Sequence, residues 1–398
     1  MSVCELTLDQ LGEVARGRSR HRPRDAAHLY GGPFPFIQTG DVKNANLYLT
    51  EFEQTYSEAG LAQSKLWPAG TLCITIAANI ADTAILGMDA CFPDSVIGFT
   101  ADAEKSDTRF VKYLFDGVLK IKYRSFTQGA AQDNLSQEKL LSIKFPVPEI
   151  WVQQRIADIL SAYDDLIENN RQRIALLEEA ARMLYREWFI HFRFPGHEHF
   201  KMVDGFPEGW ARRTLGQVAA TNAYSYAAKE LPDEVNYIDI SSVTSGRIVS
   251  RTQLMSAEAP GRARRKASDG DVIWSNVRPN LRAYALVLDS QENNVFSTGF
   301  TILTPRKVPF SWLYLFVTTD IFVAHLVNHA TGVGYPAVRP DDFERAIALV
   351  PPGRLLDLFH EATAANLHLI SKLNAQSEKL AQARDLLLPR LMNGEIAV

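Results

Sequence analysis

Between Glu149 and Phe189 the chain runs without a proline or glycine, and its apolar positions follow a helical rhythm. Ile156, Leu160, Tyr163, Ile167, Asn170, Ile174, Leu177, Ala181, Leu184 and Trp188 fall at alternate steps of four and three. That is an a/d heptad seam, the pattern of a coiled coil. After Pro352 a second stretch repeats it with Leu355, Phe359, Ala362, Asn366, Leu369, Leu373, Gln376, Leu380, Ala383 and Leu387. Pro389 and Gly394 are expected to end this second helix. Asn170 in one seam, and Asn366 and Gln376 in the other, are polar intruders of the kind that cost stability and set register. Two seams in one chain can satisfy each other, so antiparallel pairing is expected; the alternative is that each helix packs on its own globular domain.

Elsewhere the period is two. GTLCITIA, GDVIWSN and AYALVL are short β-rich runs bounded by Gly, Asn, Asp and Pro, and they predict strands. Helices are expected near DTRFVKYLFDGVL and FSWLYLFVTTDIFVAHLVN. These elements occur twice, about 200 residues apart. LGEVA (11–15) is answered by LGQVA (215–219), FIQTGDV (36–42) by YIDISSV (237–243), and AGTLCITIAANIADTAIL (69–86) by DGDVIWSNVRPNLRAYAL (269–286). IGFT (97–100) is answered by TGFT (298–301), and each half then reaches a glycine loop, TQGAAQDN (127–134) or ATGVGYPA (330–337). The reading is a tandem duplication of an α+β domain: mixed α/β domains over 1–148 and 200–350, and long helices over 149–195 and 351–398. If the helices pair antiparallel, the architecture is pseudo-two-fold symmetric. Such a form suits a two-fold object such as the backbone of duplex DNA, or two copies of one partner.

Composition changes little in this picture. At 46% hydrophobic and 22% charged, the 398 residues describe ordinary globular domains with ample core. No apolar run is long enough for a membrane span and no secretory signal pattern opens the sequence, so a cytoplasmic location without membrane contact is expected. Cys4, Cys73 and Cys91 have no metal-ligand spacing and do not suggest a disulfide framework. The net charge of −4 is unlike that of a nucleic-acid binder, but charge acts within a Debye length of about 8 Å. Two local clusters matter more: RGRSRHRPR (16–24), with five arginines, and GRARRKAS (261–268), holding Arg262, Arg264, Arg265 and Lys266. Each is either a solvated loop or a surface for phosphates.

Together the landmarks resemble the specificity subunit of type I restriction–modification systems. The resemblance rests on FPEGWARRTLGQV opening the second repeat, VPEIWVQQRIADIL opening the first long helix, LLLPRLMNGEIAV at the C-terminus, and the two-repeat, two-helix plan. The second helix departs from the pattern, opening PPGRLLDLFHEAT without the Gln-x-x-Ile of the first. The resemblance implies two target-recognition domains, each reading one half of a bipartite asymmetric site on double-stranded DNA. It implies a helical rod that sets the spacer between half-sites and docks two modification (methyltransferase) subunits, with restriction subunits joining the full complex. Methylation and cleavage then belong to those partners, which would use S-adenosylmethionine, ATP and Mg, while this chain binds no cofactor and no metal. The sequence has no GxxxxGK[ST] loop and no Asn-Pro-Pro-aromatic tetrapeptide. The histidines of HFRFPGHEH read as a polar turn. A coiled-coil scaffold that binds only proteins, or an enzyme with its own DNA-modifying activity, are the other readings.

Base edges are read by Arg on guanine and by Asn or Gln on adenine. In the second repeat SNVRPNLRAY offers Asn276, Arg278, Asn280 and Arg282, and the glycine loop offers Tyr335 with Arg339 beyond it. In the first repeat the counterparts are Asn79 and Thr83, then Gln128, Gln132 and Asn134. Arg18, Arg20, Arg22 and Arg24 are expected on phosphates, which position a protein without specifying sequence.

Overall fold

The computed structural model describes residues 3–77, 80–119, 136–227 and 229–398. The chain divides into two compact units: Met1–Arg171 together with Gln376–Val398, and Gln172–Ala375.

The first unit is built on a five-stranded sheet. Its strands are β1 (Gly12–Arg16), β2 (Tyr48–Leu49), β3 (Leu72–Thr75), β4 (Thr83–Leu86) and β5 (Val96–Ala101), ordered β1-β5-β3-β4-β2. All four residues of β3 are buried, as a strand covered on both faces requires. Alternate side chains serve two cores. Leu72, Ile74, Ile85, Ile97 and Phe99 meet Phe110, Val111 and Leu114 of the helix Thr108–Leu114. Cys73, Ala84, Leu86 and Val96 meet Trp67 and Phe92 on the other face. Gly98 lies in that second layer, where a Cβ would stand 2.7 Å from the Trp67 ring and 2.8 Å from Phe92.

The second unit repeats the plan. Strands β6 (Ala219–Thr221), β7 (Val272–Ser275), β8 (Tyr284–Leu286) and β9 (Phe300–Pro305) are ordered β6-β9-β7-β8, matching β1-β5-β3-β4. In each unit a short antiparallel ladder joins the segment before the sheet to the segment before the long helix: Val3–Leu6 with Phe145–Pro148, and Ala211–Thr214 with Ile347–Val350. The duplication is therefore topological. One expected landmark is out of step, because Ile97 faces Ile74 while Thr301 faces Trp274. The partner of Ile97 is thus Thr301 rather than Thr298, and the shared Gly-Phe-Thr is a chance alignment. The second unit also holds a separate sheet, Thr252–Met255, Glu234–Ile238, Asn294–Ser297 and Ala263–Arg265 in that order.

The long helices are α1 (Ile150–Phe189) and α2 (Gly353–Met392). They pair antiparallel within each unit: in the first, Asp164 meets Arg384 and Asn170 meets Ser377; in the second, Trp188 meets Phe359. The α1 seam is as expected, with Ile156, Leu160, Asn170, Ala181 and Trp188 buried. The α2 seam is not. Ala362 and Gln376 are exposed, whereas Thr363, Leu367, Ile370, Ser377 and Leu388 are buried. Leu355, Phe359, Thr363 and Leu367 advance by successive fours, which a heptad does not allow; from Leu355 to Leu391 the buried face spans 36 residues, about ten turns at the 3.6-residue repeat of a straight helix. Two polar intruders do meet: the buried Asn170 amide donates to Gln376 Oε1 and Ser377 Oγ, each at 3.3 Å. Pro389 does not stop α2. It lies within the last turn, where a missing N–H removes only one terminal bond; the helix ends before Gly394, which has a φ of +75°.

The Gln-x-x-Ile that opens α1 faces inward. Gln153 Nε2 donates to the carbonyls of Lys105 and Pro148, both at 2.9 Å, and its Oε1 accepts from Asp107 N at 3.2 Å. That glutamine clamps the helix start to its own domain.

Candidate nucleic-acid interface

In the second unit two loops at the end of the sheet are knitted together. Residues 276–282 follow β7. Arg278 and Arg282 both take left-handed backbone conformations, φ +48° and +54°, flanking a short turn over Pro279–Leu281. The glycine loop closes where Thr331 and Ala337 exchange backbone hydrogen bonds of 2.9 Å in both directions. Arg278 N then donates to Pro336 O at 2.7 Å and Val338 N to Asn276 O at 2.9 Å, tying one loop to the other. The Arg278 guanidinium lies 4.5 Å from the centre of the Tyr335 ring and donates to Gly334 O at 3.0 Å. A non-glycine residue in the left-handed region carries strain that its surroundings must hold, and these contacts hold Arg278.

The remaining candidates of this unit divide. Asn280 and Arg339 are exposed. Asn276 is committed internally: its Oδ1 accepts from Thr301 Oγ1 at 2.6 Å and its Nδ2 donates to Thr298 O at 3.4 Å. It builds the loop instead of reading from it. Arg282 is paired with Asp320. The GRARRKAS cluster is not one basic loop, because Ala263–Arg265 is a strand and neighbouring side chains leave on opposite faces. Arg262 Nε donates to the Tyr237 hydroxyl at 3.1 Å, Arg264 to Ala263 O at 2.7 Å, and Arg265 to Ser225 Oγ at 3.0 Å. Burial lowers the Arg265 pKa from its usual value, and Lys266 lies 5.4 Å from the Tyr226 ring.

In the first unit the arginines of residues 18–24 are all exposed, but they are not equivalent. Arg24 is paired with Asp94 at 2.8 Å, an acid from outside the cluster. Arg22 donates to the carbonyls of Ser19 and His21 at 2.7 and 2.8 Å. The Arg18 and Arg20 side chains have no bonded partner among the described residues. Thr83 is a correction: it is buried in β4 and its hydroxyl donates to Asp116 Oδ1 at 3.2 Å, so it cannot meet a base. Asn79, Gln128, Gln132 and Asn134 lie outside the described residues.

Comparison with known proteins decides what these surfaces belong to. The family of type I restriction modification DNA specificity domains matches residues 5–179. The specificity subunit of the type I restriction enzyme MjaIX from Methanocaldococcus jannaschii is 24% identical, over 98% of this chain and 93% of its own. That of HindI from Haemophilus influenzae is 20% identical, over 97% and 98%. Residues 5–179 thus match the type I specificity domain, and the chain is similar to type I specificity subunits over nearly its whole length. The crystal structure of a type I restriction–modification S subunit from M. genitalium shares the fold, with a TM-score of 0.60 at 15% identity, covering 98% of this chain and 96% of that one.

The joined loops are an exposed and internally braced part of the second repeat. Sequence reasoning misses two of their exposed side chains, Val333 and Leu281, because a search for hydrogen-bonding residues passes over them. The one signal in the sequence is a valine held between two glycines inside the glycine loop.

Proposed function

We propose that each repeat of this specificity subunit reads one half of a bipartite, asymmetric site on double-stranded DNA. In this reading α1 and α2 set the spacer and dock two modification subunits, and restriction subunits complete the complex. The chain is itself non-catalytic, acts in the cytoplasm, and leaves S-adenosylmethionine, ATP and Mg to its partners. What supports the reading most is the duplicated sheet order ending, in the second unit, in an exposed platform that presents Arg278 and Tyr335. A scaffold that bound only proteins would leave that platform, and the exposed Arg18 and Arg20, without a role.

The reading separates two kinds of contact. In the complex with modification subunits, Arg20→Ala is expected to weaken binding to every duplex alike. It should also shallow the log–log salt slope by about 0.9, the share of a single phosphate. Arg278→Ala is expected to cost about 1–3 kcal/mol at one base pair and to relax discrimination there. Titrating both variants on matched and mismatched duplexes at two salt concentrations checks this. Equal weakening on all duplexes for Arg278→Ala would remove that residue from the reading set.

A further inference from the structure

Val333 is fully exposed. Single exposed apolar side chains are ordinary on protein surfaces, but this one stands at the tip of a built hairpin. Gly332 and Gly334 on either side have φ of +109° and +87°, conformations that L side chains rarely take. Because Thr331 and Ala337 close the hairpin and Arg278 donates into it at Gly334 and Pro336, the tip is held in place. Tyr335, 72% exposed, backs it with one face against Arg278. Valine is stiff at χ1, so the tip presents two methyl groups in a preset direction beside a guanidinium.

A duplex offers such a tip few apolar partners. On the major-groove edges of the bases the distinctive apolar group is the C5-methyl of thymine. The side chains that wedge between base steps are longer, such as Phe, Leu, Ile and Met, and Val333 has no such reach. Arg278, with donors left beyond its bond to Gly334, suits an adjacent guanine.

We infer that Val333 is a specificity-determining residue that contacts the 5-methyl group of one thymine in the half-site read by the second repeat. This rests on the proposed reading of DNA by that repeat. The test uses the complex of the full chain with its modification subunits. Its probe is a duplex carrying the site mapped from methylated positions in the host genome, with each thymine replaced in turn by deoxyuridine, which removes only the methyl. One replacement is expected to weaken binding roughly fourfold, the worth of one buried methyl-sized group. Val333→Ala should bind the thymine and uracil duplexes equally, whereas Val333→Ile should keep the preference. The side chain is exposed, so neither substitution threatens folding. The inference is overturned if that half-site contains no thymine on either strand, if no replacement matters, or if Val333→Ala retains the same sensitivity. It is overturned too if the variant instead alters 2-aminopurine fluorescence at a base step, the mark of a wedge. Absence of all sequence preference in the unaltered complex would instead refute the reading by the repeat.

Discussion

Exchanging residues 206–350 for the corresponding residues of another specificity subunit is expected to change one half-site and leave the other intact. The boundaries matter. The ladder Ala211–Thr214 with Ile347–Val350 closes the second unit, its outer rungs being Ala211 with Val350 and Arg212 with Leu349. An exchange that stopped at residue 348 would join strands from two parents at those rungs. The main cores of the first unit, among the described residues, are built from its own side chains, so its reading surface has no packing reason to change. The incoming domain must still fit the aromatic cluster that the helices retain, in which Phe359 stacks edge-on with Phe189 at 4.7 Å and Tyr185 and Phe189 approach Trp312. Mapping methylated positions in a host carrying the exchange reads both half-sites at once. If a single exchange altered both, two independent readers would not exist.

Asp164→Ala is expected to destabilise the helix pair strongly. Asp164 is 3% exposed and takes hydrogen bonds from the Tyr113 hydroxyl and from Arg384, which also donates to Asp385 Oδ1 at 2.7 Å. Burial, reinforced by the Asp164 carboxylate, holds the Tyr113 phenol well above its ordinary pKa, so it stays a donor at every working pH. Removing the carboxylate leaves a largely buried guanidinium with only surface-side compensation, which costs about 3–5 kcal/mol. Replacing both partners, as in Asp164→Ala with Arg384→Met, should recover part of that stability because no buried charge remains. Two units need not unfold as one. Hydrogen exchange resolved by residue is therefore the right measurement, and protection should fall across the first unit while that of β7 and β9 is kept. A destabilisation under about 1 kcal/mol, below the usual cost of stranding a buried charge, would mean that Arg384 finds water instead.

What was legible in the sequence was what depends on periodicity and order. The two long helices, the strands on either side of residues 76–82 and 276–282, and the repetition of the whole followed from spacing alone. What was not legible depends on partners distant in sequence. The shift of the α2 seam onto Thr363 and Leu367 is set by the true helical repeat and by the domain side chains packed against it, neither of which a heptad count contains. Thr83 and Asn276 carry the right chemistry for bases, but Asp116 and Thr301 claim them. Arg24 meets Asp94, seventy residues away. The sheet that absorbs Arg264 and Arg265 depends on a parallel pairing of Asn236 with Asn294, for which short strands carry no local sign.

The division of the chain also bears on how it is made. The second unit is continuous, from Gln172 to Ala375, but the first needs residues from Gln376 onward. Leu388 and Leu391 join Leu8, Ile156 and Leu160 in one core. On the ribosome those leucines follow the first repeat by about 240 residues, roughly 12–48 s at 5–20 residues per second. During that interval Ile156 and Leu160 share a core with Phe110, Val111 and Leu114 but lack the α2 leucines that complete it. The repeat synthesised second can close first, and the one synthesised first waits with an apolar stripe open to other nascent chains. Chaperone dependence in this protein should accordingly map to the early half of its sequence.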